Sequence, residues 1–160
     1  MLLKKYLAAT LISLLILTWV GCISTQTVTS GQAPDFTLNS LSGEAITLSD
    51  FQDQVVILDF WTTWCKPCVD GMPHLQKLHE QYEDITVLAI NMGEKPEDVA
   101  SFMSENGYTF IVLFDNSDKV SKAYGVQAIP HMLIVDRAGE AHHVFGAPDA
   151  LLDKLQQVLE

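Results

Sequence analysis

Val55-Val56-Ile57-Leu58-Asp59-Phe60-Trp61-Thr62-Thr63-Trp64-Cys65-Lys66-Pro67-Cys68 decides how this chain reads. Its first seven residues are apolar except for one acid, Asp59. A run of that kind predicts a strand buried on both faces. After Thr62-Thr63-Trp64 come two cysteines flanking Lys66-Pro67, and then a helical pattern. A strand that ends in C-x-P-C and runs into a helix places the first thiol at the helix N-terminus. Unpaired backbone N–H groups and the helix dipole there favour a thiolate. A lone C-x-x-C is ambiguous, because it also reads as half a zinc site. Strand, acid, tryptophan, C-x-P-C and helix together point to a dithiol–disulfide redox centre.

Downstream, Val69, Met72, Leu75, Leu78 and Tyr82 recur at spacings of three or four and predict an amphipathic helix, kinked at Pro73. Residues 85–91 predict a second apolar strand. Residues 96–106 predict a helix opened by Pro96 and closed by Gly107. A strand over 110–114 and a short helix over 118–124 follow. Residues 131–136 and 142–145 form a hairpin about the turn at 137–140. A last helix over 149–159 turns Leu151, Leu152, Leu155 and Val158 inward. Upstream, the ordered part begins at residues 33–38. A short strand at 45–48 follows, and Ser49-Asp50 caps a single helical turn. Strands alternating with helices imply an α/β sandwich around a mixed sheet, in one domain.

The 160 residues suffice for one core, and 48% apolar against 18% charged residues argues against disorder. Net charge is −11, and −13 without Lys4 and Lys5. An acidic body argues against nucleic acid as a partner. Lys4-Lys5, the apolar run from Leu7 to Val20, and Gly21-Cys22 fit an export segment over residues 1–22. Trp19-Val20-Gly21-Cys22 resembles the bacterial lipobox at Gly21 and Cys22 but not at Trp19. A lipidated Cys22, an uncleaved anchor and a cleaved signal all remain open, and each puts the domain outside the cytoplasm. Of three cysteines, Cys65 and Cys68 pair naturally, and lipidation gives the leftover Cys22 a purpose. Residues 23–32, rich in Thr, Ser, Gln and Gly, read as a flexible tether to a domain over 33–160.

The chain resembles the thioredoxin superfamily, and within it the membrane-anchored TlpA/ResA/CcmG-like thiol–disulfide oxidoreductases. Ala33-Pro34-Asp35-Phe36 is similar to that branch's opening A-P-x-F. Residues 59–68 match the thioredoxin active-site stretch, and Pro73 the helix proline. Ala128-Ile129-Pro130-His131 followed by Leu133-Ile134-Val135-Asp136 resembles the cis-proline loop and its strand. The segment 93–115 resembles the helix–strand insert of the TlpA branch. Two positions depart from the pattern: Gly71 stands where a Glu is frequent, and His131 where Thr is common.

The resemblance implies that Cys65 is the nucleophile and Cys68 the resolving thiol, with no cofactor and no metal beyond this redox pair. It implies that Asp59, an acid inside an apolar strand, takes the Cys68 proton, for which a raised pKa is suited. Lys66 adds positive charge near Cys65, and Pro67 belongs to the same turn. Pro130 is expected to be cis, presenting the Ile129 backbone to an extended substrate. Trp64 is expected to shape the docking surface, whereas Trp61 belongs to the core. His131 is a candidate substrate contact. His74, His79, His142 and His143 read as surface residues. The implied activity is an extracytoplasmic disulfide reductase. Exported proteins are its implied substrates, with apocytochrome c maturation one such task, and a membrane thiol-electron transporter is the implied donor.

Two other classes compete. A peroxiredoxin-type peroxidase would use Thr62, three residues before Cys65. However, Leu58 stands in the proline position of that motif, and the only arginine is the distant Arg137. A copper-binding module would use Cys65, Cys68 and His131 as soft ligands.

Overall fold

A fully apolar strand needs neighbours on both edges and cover on both faces. The computed structural model, which describes residues 31–144 and 148–159, gives the predicted strand all four. All seven residues of β4 (Val55–Trp61) are buried. On one edge β4 pairs in parallel with β5 (Ile85–Asn91), and β5 in parallel with β6 (Ile111–Phe114). On the other edge β4 pairs antiparallel with β7 (His131–Val135), and β7 with β8 (Glu140–Val144). β2 (Thr37–Ser40) and β3 (Ala45–Thr47) extend the sheet past β6, and β1 (Gly31–Gln32) extends it past β8. The order is β1-β8-β7-β4-β5-β6-β2-β3, a mixed eight-stranded sheet. A 3-10 turn at Leu48–Phe51 leads into β4, capped by Thr47 and Asp50.

Four helices flank the sheet: α1 (Lys66–Gln81), α2 (Pro96–Asn106), α3 (Lys119–Ala123) and α4 (Pro148–Leu159). This is the expected thioredoxin-like α/β fold, and α2 with β6 forms the helix–strand insert. None of the described helices is long and apolar enough to cross a membrane. Residues 1–30 lie outside the described residues, and with them the expected export segment, Cys22 and most of the tether. Phe145 lies outside them too.

The two-residue period of β4 sorts its side chains onto two cores. Val55, Ile57 and Trp61 join Met72, Leu75 and Leu78 of α1. Val56, Leu58 and Phe60 join Tyr124 and Leu133. Asp59 therefore falls on the α1 face.

Three expectations need correction. Gly31–Gln32 is strand, not tether, because its register with Ala141 and Glu140 needs only backbone. Tyr82 leaves the helical stripe: it is the C-cap of α1, in extended conformation, and is exposed. Leu152 is exposed as well, since α4 buries the narrower stripe of Leu151 and Leu155.

Gln76 is a buried polar residue on α1. Its Nε2 donates to Thr109 Oγ1 at 2.8 Å, and its Oε1 accepts from Thr109 N at 2.9 Å. One side chain thus joins α1 to the loop before β6. Gln76→Ala leaves the Thr109 N–H without its partner and is expected to cost about 1–3 kcal/mol. Urea unfolding checks this as a lowered midpoint with an unchanged slope.

Candidate active site

α1 begins where Cys65 acts as N-cap. The Cys65 N–H donates to Thr62 O at 3.2 Å, closing the turn after β4. The Cys68 N–H donates to Cys65 Sγ at 3.3 Å. That N–H is one of the orphan donors of a helix start, here aimed at the sulfur. Pro67 occupies the first turn, where its missing N–H leaves nothing unsatisfied. Cys65 and Cys68 are joined as a disulfide with Cα atoms 5.3 Å apart, so this is the oxidised form.

Asp59 is 2% exposed. Its register neighbours are Ala89 on β5 and Met132 on β7, neither of which offers a charge or a side-chain donor. Burial alone pushes its carboxyl up to about 7. Asp59 and Cys68 line the same cavity of about 50 Å³, together with Pro67, Gly71, His74, Leu75, Pro130, Met132 and Leu151. Asp59, the acid expected to accept a proton, and the Cys68 sulfur therefore line one small, partly open cavity.

The other expected residues divide. The Ile129–Pro130 bond is cis, and Pro130 reaches the cavity wall. Ile129 is half-buried against both cores. Trp64, next to Cys65, is 74% exposed, whereas Trp61 is fully buried against Phe102. Lys66 does not turn to the cysteines. Its Nζ bonds both carboxylate oxygens of Asp70 at 2.8 Å, one helical turn on, in an exposed pair. The Cys65 sulfur is served by the helix terminus and the Cys68 N–H instead.

His131 stands in register with Phe60, which puts it on the sheet face opposite Asp59. Its ring meets Phe60 and His143 edge-on, and burial with the neighbouring His143 holds its pKa below the ordinary histidine value. The Cys65–Cys68–His131 copper set does not assemble. Among the described residues the only such cluster is Asp136, Glu140 and His142, at the β7–β8 hairpin. His79, His142 and His143 are half-buried rather than surface residues, and His142 bonds Asp136 at 2.7 Å. Arg137 pairs with Asp84 at 2.6 Å, at the end of the sheet away from Cys65. The peroxidase reading loses its arginine.

One contributor escaped the sequence reading. The Glu94 carboxylate accepts from Thr63 N at 2.7 Å, from Thr63 Oγ1, and from Asn91 Nδ2 at 2.7 Å. Met92 N adds a bond to Trp61 O at 3.1 Å. These bonds clamp the loop that carries Trp64 and Cys65 to the end of β5. The local signal was Asn91-Met92-Gly93-Glu94, an amide and an acid about a glycine with φ 79°.

Fold and site define a thioredoxin-like dithiol–disulfide protein. Residues 29–144 match the AhpC/TSA family, and the chain belongs to it. ResA thiol–disulfide oxidoreductase of Halalkalibacterium halodurans is 30% identical over 133 residues, covering 81% of this chain and 76% of that protein. ResA of Geobacillus thermodenitrificans is 38% identical over 114 residues, covering 70% of this chain and 66% of that protein. The chain thus spans about two-thirds of the latter's length. A secreted thiol–disulfide isomerase from Corynebacterium glutamicum superposes with a TM-score of 0.73 at 29% identity, covering 84% of this chain and 90% of that one.

Asp59 carries a measurable signature. Its folded pKa lies above its unfolded value of 3.8. Between 3.8 and about 7 the native state therefore binds the extra proton, and stability falls as pH rises through that window. In the oxidised protein, where the two thiols do not titrate, Asp59→Asn removes this component. The difference in unfolding free energy between wild type and variant should change by up to roughly 4 kcal/mol from acid to pH 8. Urea titrations at a series of pH values measure it.

Proposed function

We propose that this chain is an extracytoplasmic, membrane-tethered reductase of protein disulfides. The observation that carries the reading is the pairing of a helix-capped Cys65 sulfur with a Cys68 that shares its cavity with Asp59. In the reduced form the Cys65 thiolate attacks one sulfur of a substrate disulfide. The substrate S–S bond breaks, a Cys65–substrate disulfide forms, and the freed substrate thiolate takes a proton. Asp59 then removes the proton from Cys68, whose thiolate attacks Cys65 Sγ. The mixed disulfide breaks, the Cys65–Cys68 bond forms, and the second substrate thiol leaves protonated. Two electrons pass from the dithiol to the substrate, with no cofactor or metal.

Trp64, exposed beside Cys65, offers an apolar docking plane, and the Ile129 backbone an edge for an extended segment. His131 meets Phe60 edge-on, on the sheet face away from Asp59. Exported proteins holding a disulfide are the substrates, an apocytochrome c among them, and a membrane thiol-electron transporter returns the electrons. The Lys4-Lys5 and Leu7–Val20 pattern supports export, and Gly21-Cys22 supports lipid attachment at Cys22. The acidic charge speaks against nucleic acid.

The reduction potential tests the direction of electron flow. Trp64 fluorescence of the full-length protein in detergent, titrated in thiol redox buffers, should give about −250 mV or lower, near the thioredoxin range. A value near about −120 mV, that of a strong periplasmic oxidant, would replace reductase with disulfide donor. With Cys68→Ser, substrate should accumulate as a mixed disulfide on Cys65.

A further inference from the structure

The mechanism leaves a proton on a carboxyl with almost no solvent contact, and it must leave before the next turnover. Beside that carboxyl lies the cavity that Asp59 and Cys68 line. At about 50 Å³ it exceeds the roughly 10–15 Å³ that one water requires. Its walls at Pro67, Leu75, Pro130, Met132 and Leu151 are apolar. Gly71 also lines it, and a Cβ built there would meet nothing within 4 Å. Glycine inside a helix costs about 1 kcal/mol relative to alanine, and no packing contact at Gly71 offsets that. What the missing side chain leaves is open space. One turn further along α1, His74 lines the same cavity and is itself exposed to solvent.

We propose that His74 is the proton outlet of this site, passing to bulk water the proton that Asp59 takes from Cys68, through water in the space left at Gly71. The inference rests on the dithiol reading above. The proton moves from Cys68 Sγ to a carboxylate oxygen of Asp59, then through cavity water to a His74 ring nitrogen, and then to solvent. An imidazole has one ring nitrogen that accepts a proton and one that donates it, so it can pass a proton between cavity water and solvent. Among the described residues, the titratable groups facing the cavity are Asp59 from β4, and Cys68 and His74 from α1. β7 and α4 contribute only Met132 and Leu151 to it. On its own helix His74 is flanked by Asp70, which is held by Lys66, and by Lys77. His74 touches neither sulfur in this role and acts through Asp59.

Rapid-mixing kinetics on the full-length protein test this. A small aromatic disulfide first loads Cys65, and the resolution by Cys68 is followed against pH. His74→Gln should slow resolution about ten-fold and flatten its pH profile around neutrality, with loading of Cys65 unchanged. Added imidazole should restore the rate. Gly71→Val, which fills the cavity, should slow resolution without rescue by imidazole. A His74→Gln profile that overlays wild type would overturn the proposal, and so would normal resolution in Gly71→Val. Failure of wild-type Cys65 to load at all would remove the dithiol reading itself, a separate result.

Discussion

The site depends on one carboxyl held inside a strand that has no other charged side chain. Asp59 occupies the middle of β4, between two strands and beneath a helix. Desolvation there is uncompensated, so the neutral acid is the favoured form over most of the acid range. The two-residue period then fixes which side of the sheet receives it. The same face receives α1, and α1 begins with the two cysteines. A shift of one residue in register would send Asp59 to the Tyr124 side and part it from Cys68.

The second constraint is the way the chain leaves β4. Three residues, Thr62, Thr63 and Trp64, separate Trp61 from Cys65, and the two tryptophans sit in opposite environments: Trp61 is sealed in the core and Trp64 is open to solvent. The Thr62–Cys65 turn and the Glu94 bonds hold this short connection from both sides. Hydrogen bonds to a charged acceptor are among the stronger ones, worth about 1.5–3 kcal/mol. A loop so held presents the sulfur and the exposed indole in a fixed relation.

How much of this was legible in the chain follows from the range of the forces involved. β4 and the cysteine cap are written in local pattern and chain order, whereas the helix–strand insert and the environments of both tryptophans followed from the family resemblance. The placement of His131 was not, because it depends on which strand pairs with β4 and in what register. Glu94 was missed for a similar reason: its partner Thr63 lies 31 residues away. Gly31–Gln32 has no side-chain period to read, since its pairing is carried by backbone alone. The Lys66–Asp70 pair was legible, being an i,i+4 contact.

The short strand at Gly31–Gln32 gives the domain a polarity. It lies against Ala141 and Glu140, which follow the hairpin turn that begins after Val135, and Val135 aligns with Val56 at the start of β4. Cys65 lies just beyond the opposite end of that strand. Gly31 thus lies toward one end of the sheet, and the sulfurs sit beyond the other. Anything fixed at the 137–140 turn, where Ala33 N meets Gly139 O, therefore leaves the sulfur end of the sheet unobstructed.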